Sequence, residues 1–179
     1  IALYHHTVEF LQTVVYDIFS HAHEFIFKGY QLAVRLNSTS DLPFHQVLDL
    51  EAIVNDCKNL SHFYDYTKIP SRHKVSSEFY HLTYSVSELS SPKWIQRFDR
   101  VAMVVSKKDH KTLLTQYPSV FVDGDKHDLR ALDSSKYVLL AVKRVGGYQQ
   151  MNKTRQVSDE FVCTIDKVLQ YANLQGVAQ

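Results

Sequence analysis

The feature that most constrains this chain is an apolar spacing in its first forty residues. Tyr4, Val8, Leu11, Val15, Ile18, Ala22, Phe25, Gly29, Leu32 and Leu36 recur in alternating steps of four and three. That period places them on one stripe of an α-helix, while Glu9, Thr13, Asp17, Glu24, Lys28, Gln31 and Arg35 fall opposite, with Glu24 and Lys28 in the favoured i,i+4 order. The spacing predicts one helix over residues 3–36, about 50 Å long at 1.5 Å per residue. Phe10, Val14, Phe19, Ile26 and Phe27 widen the stripe beyond a two-position seam, so the helix is expected to pack on its own domain and also on a second copy of the chain or a partner.

Beyond a turn at Asn37-Ser38-Thr39-Ser40-Asp41, Ser40 or Asp41 is expected to cap a second helix with Pro43 in its first turn. That helix reads to about residue 65 through Phe44, Val47, Leu50, Val54, Cys57 and Tyr64. Residues 75–90 fit a helix through Val75, Phe79, Leu82, Val86 and Leu89, or a strand through Tyr80, Leu82, Tyr84 and Val86; the longer match favours the helix. Ser91-Pro92 opens a short helix carrying Trp94, Ile95 and Phe98.

The pattern changes at residue 99. Strands are expected at 101–105, 120–122 and 137–145, separated by a helix capped by Asp109 and a helical turn over 128–132. Gly146-Gly147 signals a hairpin and a returning edge strand over 148–154. A last helix is expected from Ser158, burying Phe161, Ile165, Val168 and Ala172 and stopping at Gly176. The fold class expected is therefore α+β or α/β, an N-terminal long-helix layer packed with a small three- to four-stranded sheet and a closing C-terminal helix. A helical part over 1–98 and a basic sheet-and-helix part over 99–179 are expected to form one compact domain.

Charge is unevenly distributed. Residues 1–91 carry 6 Lys and Arg against 10 Asp and Glu, residues 92–155 carry 13 against 6, and residues 156–179 carry 1 against 3. A cationic block suits a polyanionic partner, because neutralising phosphates releases condensed counterions. The leading expectation is a non-catalytic, homo-oligomeric module that binds DNA or RNA phosphates through Lys107, Lys108, Lys111, Lys143, Arg144, Lys153 and Arg155. Trp94 and Tyr148 are the expected base-stacking contacts. The alternative is a protein-interaction or sensory domain that docks through its first helix.

Motifs for chemistry are sparse, since the sequence has no G-x-S-x-G, no G-x-x-x-x-G-K and no dinucleotide fingerprint. No catalytic residue and no cofactor is therefore expected. Asp123, Asp125 and Asp128, just past a predicted strand, are the candidate ligands for Mg2+ in a third, nuclease-like reading. With Lys143 they resemble the carboxylate-plus-lysine layout of metal nucleases, although Ala141 stands where that layout has an acid. His5-His6 and His21-x-His23 diverge on a helix and lack zinc-site spacing. Two cysteines, Cys57 and Cys163, are too few for a disulfide framework and read as buried thiols of a reducing cytoplasm. No apolar run approaches the 18 residues of a membrane span. The chain starts at Ile1, which reads as the start of a processed or excised piece.

Overall fold

The computed structural model describes residues 7–38, 40–142 and 162–174. Among them the chain forms β1 (Leu32–Arg35), β2 (Leu60–Thr67), β3 (Tyr80–Ser85), β4 (Val101–Val105), β5 (Phe121–Asp123) and β6 (Tyr137–Ala141). The helices are α1 (Thr7–Ile26), α2 (Leu50–Asp56), α3 (Pro92–Ile95), α4 (Lys107–Gln116) and α5 (Ile165–Tyr171). The six strands are all parallel, in the order β1-β2-β3-β4-β6-β5. This is an α/β fold, which corrects the expectation of a long-helix layer beside a three- to four-stranded sheet. No described helix is long and apolar enough to cross a membrane.

Three expected helices failed for separable reasons. The first stops at Ile26 because Gly29 takes φ +69°, a conformation only glycine adopts cheaply, and Leu32-Ala33-Val34-Arg35 then pairs with β2 as an edge strand. The second contracts to Leu50–Asp56, capped by Asp49 accepting from Ala52 N at 3.0 Å, while Pro43 precedes only a 3-10 turn over Phe44–Gln46. Leu60-Ser-His-Phe-Tyr-Asp-Tyr-Thr then becomes β2, whose aromatic residues suit a pleated surface better than a helix. Over 75–90 the shorter strand pattern prevails, giving β3.

The strands expected at 101–105, 120–122 and 137–145 are present, the last ending at Ala141 among the described residues. The expected turn over 128–132 is a 3-10 helix at Arg130–Leu132. The helix after β4 is capped by Ser106, which accepts from Asp109 N at 3.1 Å; Asp109 sits inside its first turn. The last helix begins at Ile165, capped by Thr164, and Asn173 at φ 57° supplies the left-handed residue that follows it. The 148–154 strand, the start at Ser158 and Gly176 lie outside the described residues.

Two compact units divide the chain. Ile1–Asp65 with Val75–Leu82 buries Ile18, Ala22, Phe44, Leu50, Ile53, Leu60, Phe63 and Leu82. Its polar centre is Asp65, which accepts from Asn37 N at 2.7 Å, Asn37 Nδ2 at 3.0 Å and Tyr80 Oη at 2.9 Å. Tyr66–Lys74 with Thr83–Gln179 is built on β4, where Val101, Ala102, Met103 and Val105 are all buried. A strand flanked by parallel neighbours and covered on both faces has no solvent side, which is why β4 reads as an unbroken apolar run. Ile95, Phe98, Leu113, Phe121, Val138, Leu139 and Val168 complete that core.

Candidate functional site

Parallel sheets present ligand sites beyond the carboxyl ends of their strands, where loops carry side chains onto one edge. In the second unit, β4 leads at that edge into α4, and β5 leads into the loop Asp123-Gly124-Asp125. The two meet. His110 Nε2, from the first full turn of α4, stands 3.3 Å from Asp123 Oδ1 and 4.0 Å from Asp125 Oδ2. It also stands 3.3 Å from the Leu139 carbonyl of β6. His110 is largely covered, with 13% of its side chain exposed, against 24% for Asp123 and 25% for Asp125.

The loop is held from three directions. Asp125 N donates to Asp123 Oδ1 at 3.0 Å, Ala141 N donates to Asp125 Oδ2 at 3.0 Å, and Gly124 N donates to Leu139 O at 2.8 Å. A Cβ on Gly124 would come within 2.5 Å of Val138 Cγ1 and 2.8 Å of Leu140 Cδ2, so only glycine passes this close to β6. Behind it, Arg130 donates to Gly124 O at 3.1 Å and pairs with Asp133 at 3.0 Å, both side chains being buried. The carboxylates are thus positioned by backbone, beside His110. The set of one imidazole, two carboxylates and a carbonyl can hold a proton or a cation.

Of the sequence-derived metal candidates, Asp123 and Asp125 converge, whereas Asp128 is exposed and accepts from Tyr66 Oη at 2.7 Å. His110 was missed because its partners are 13 and 15 residues away and no local spacing announces them. Among the histidines flagged earlier, His5 and His6 are outside the described residues. His21 is exposed and bonds the Asp17 carbonyl, and His23 packs edge-on against Phe27. A different pair occurs on β2 and β3 of the first unit, where His62 and His81 have ring centroids 4.8 Å apart. Burial holds His62 below the usual imidazole range.

The basic block is partly consumed by the fold. Arg100 donates to the carbonyls of Asp133 and Ser135 at 2.6 and 2.7 Å, and Lys136 to that of Gln96 at 3.1 Å. Burial pushes both below their usual ranges. Lys107, Lys108 and Lys111 differ: all three are exposed on the first turns of α4, with no ion pair among the described residues. Lys107 precedes His110 by one turn on the same side of the helix. Trp94 is half-buried on α3. Lys143, Arg144, Tyr148, Lys153 and Arg155 lie outside the described residues. Cys57 and Cys163 are both free and buried.

Fold and site together define a parallel α/β protein that gathers a histidine, two carboxylates and exposed lysines at the carboxyl edge of its strands. The chain belongs to the Gene product 88 family, whose model matches residues 1–160. No curated protein and no solved structure matches it.

Proposed function

We propose that the protein is a non-catalytic nucleic-acid-binding module of a reducing, cytoplasmic setting that contacts the phosphate backbone through Lys107, Lys108 and Lys111. Lys143, Arg144, Lys153 and Arg155 would add phosphate contacts, and Trp94 and Tyr148 would stack on bases. The observation that supports this reading is the grouping of three exposed lysines, without an ion pair among the described residues, on two turns of α4 at the carboxyl edge of a parallel sheet. Lysines that stabilise a fold are paired or lie along apolar surface; these are solvated and mutually repelling, an arrangement a polyanion relieves.

The test is the salt dependence of binding to a random duplex. Each phosphate neutralised contributes about −0.9 to the slope of log K against log salt. Replacing Lys107, Lys108 and Lys111 together by Gln should flatten that slope by about 2.7. An unchanged slope, or no binding at low salt, refutes the reading.

A second reading, self-association or protein docking through the first helix, has its own support. Tyr16, Phe27 and Tyr30 are 73%, 80% and 64% exposed, and Val8, Phe19 and Ile26 add to the uncovered apolar surface of α1 and the turn after it. Large exposed aromatics in a row carry a hydration cost that a partner surface removes. Light scattering over a hundredfold concentration range should show a dimer that Tyr16→Lys with Phe27→Lys dissociates. A monomer throughout removes the homo-oligomer.

A further inference from the structure

We infer that His110, Asp123 and Asp125, with the Leu139 carbonyl, form a binding site for one divalent cation of intermediate hardness, Mn2+ or Zn2+. The inference goes beyond the nucleic-acid reading and stands without it. It begins from an imbalance at His110. A single ring nitrogen faces three oxygens, at 3.3, 3.3 and 4.0 Å. One N–H serves one acceptor well, and a charge-assisted bond closes to about 2.7–2.9 Å. None of the three does. Helix α4, strand β6 and the anchored loop Asp123-Gly124-Asp125 hold the nitrogen and the oxygens apart.

Those separations match ligands around an ion. Bonds of about 2.0–2.1 Å place neighbouring ligand atoms about 3.0 Å apart in an octahedron and about 3.3 Å apart in a tetrahedron. The ligand atoms of His110, Asp123 and Asp125 all lie within 4.8 Å of one another, so a small inward rotation of the side chains brings them onto one centre. The anchoring bonds have the character of outer-shell support. Ala141 N fixes Asp125 Oδ2 and Asp125 N fixes Asp123 Oδ1. The donor set chooses the metal. Carboxylates and a carbonyl alone would suit Mg2+ or Ca2+; adding an imidazole shifts preference toward Mn2+ and Zn2+.

The experiment uses the full 179-residue chain, stripped with chelator and free of nucleic acid, titrated with Mn2+ and followed by electron paramagnetic resonance. One Mn2+ per chain is expected, with 14N modulation in the electron spin echo from the coordinated imidazole. His110→Gln should abolish that modulation and weaken binding at least about tenfold, as should Asp125→Asn in affinity alone. Asp125 is exposed, so its variant serves if His110→Gln does not fold. Asp128→Asn, outside the cluster of His110, Asp123 and Asp125 and bonded to Tyr66 Oη, should bind as the wild type does. Absence of a saturable Mn2+ or Zn2+ site overturns the inference. So does 14N modulation that survives in His110→Gln, or a loss in Asp128→Asn equal to that in Asp125→Asn. Because no oligonucleotide is present, these outcomes are independent of whether α4 binds phosphates.

Discussion

Arg130 is a sharp test of how the carboxyl edge of the sheet is held. Its side chain and that of Asp133 are 1% and 3% exposed, 3.0 Å apart, and Arg130 also donates to Gly124 O at 3.1 Å. Removing one member of a buried ion pair typically costs about 3–5 kcal/mol, because the other charge stays buried without compensation. Two features place Arg130→Met at the lower end. Asp133 keeps the positive charge of Arg100 nearby, and His127 Nε2 lies 3.7 Å from it, so the orphaned carboxylate is not alone. The facing Arg130 and Asp133 atoms also lack hydrogen-bond alignment, so the loss within the pair is mainly coulombic, beside the lost bond to Gly124 O. The expectation is about 3 kcal/mol for Arg130→Met, a similar loss for Asp133→Leu, and far less than the sum for the double variant. Urea unfolding at pH 7, followed by tryptophan fluorescence and by circular dichroism, measures all four corners of the cycle. A loss below about 1 kcal/mol in Arg130→Met, or strict additivity in the double variant, would show that the pair does not hold this loop.

Three further outcomes follow from the same geometry. Gly124→Ala should cost about 2 kcal/mol or more, since its Cβ would overlap Val138, which is fully buried and cannot withdraw; an unchanged urea midpoint would contradict the packing at β6. Burial pushes the Asp65 carboxyl above the usual carboxylate range, despite the bonds from Asn37 and Tyr80 that favour its charge. The folded state therefore holds this proton more tightly than the unfolded chain. Its contribution is full below about pH 4 and lost as pH rises through the folded pKa, so the stability gap between wild type and Asp65→Asn should narrow from pH 4 to pH 7. A gap that widens reverses the sign of the argument. Burial also pushes the Cys163 thiol up to about 11, so alkylation at pH 8 should be far slower in the native protein than in urea, and equal rates would place the thiol in solvent.

What the sequence reveals of this fold divides by whether neighbours in space are neighbours in the chain. β4 was legible because five consecutive apolar residues suit a strand covered on both faces, and Ser91-Pro92 marks a helix start by purely local chemistry. The N-terminal half was misread because steps of three and four also arise when a short helix is followed by strands that alternate. Tyr4 to Phe25 obeys the helical period, and Leu32 and Leu36 continue it by coincidence across a left-handed glycine. Periodicity alone cannot separate these; pairing of Ala33 with His62 and Val34 with Phe63 decides, and that is tertiary. The site follows the same rule. Asp123-Gly124-Asp125 was visible as a turn after a strand, but its third member comes from α4, brought across because β6 inserts between β4 and β5 and Leu139 supplies the carbonyl between them. A parallel sheet in which chain order and strand order part company gathers ligands from distant segments. The chemistry of its edge is therefore a property of topology that no local motif in this chain encodes.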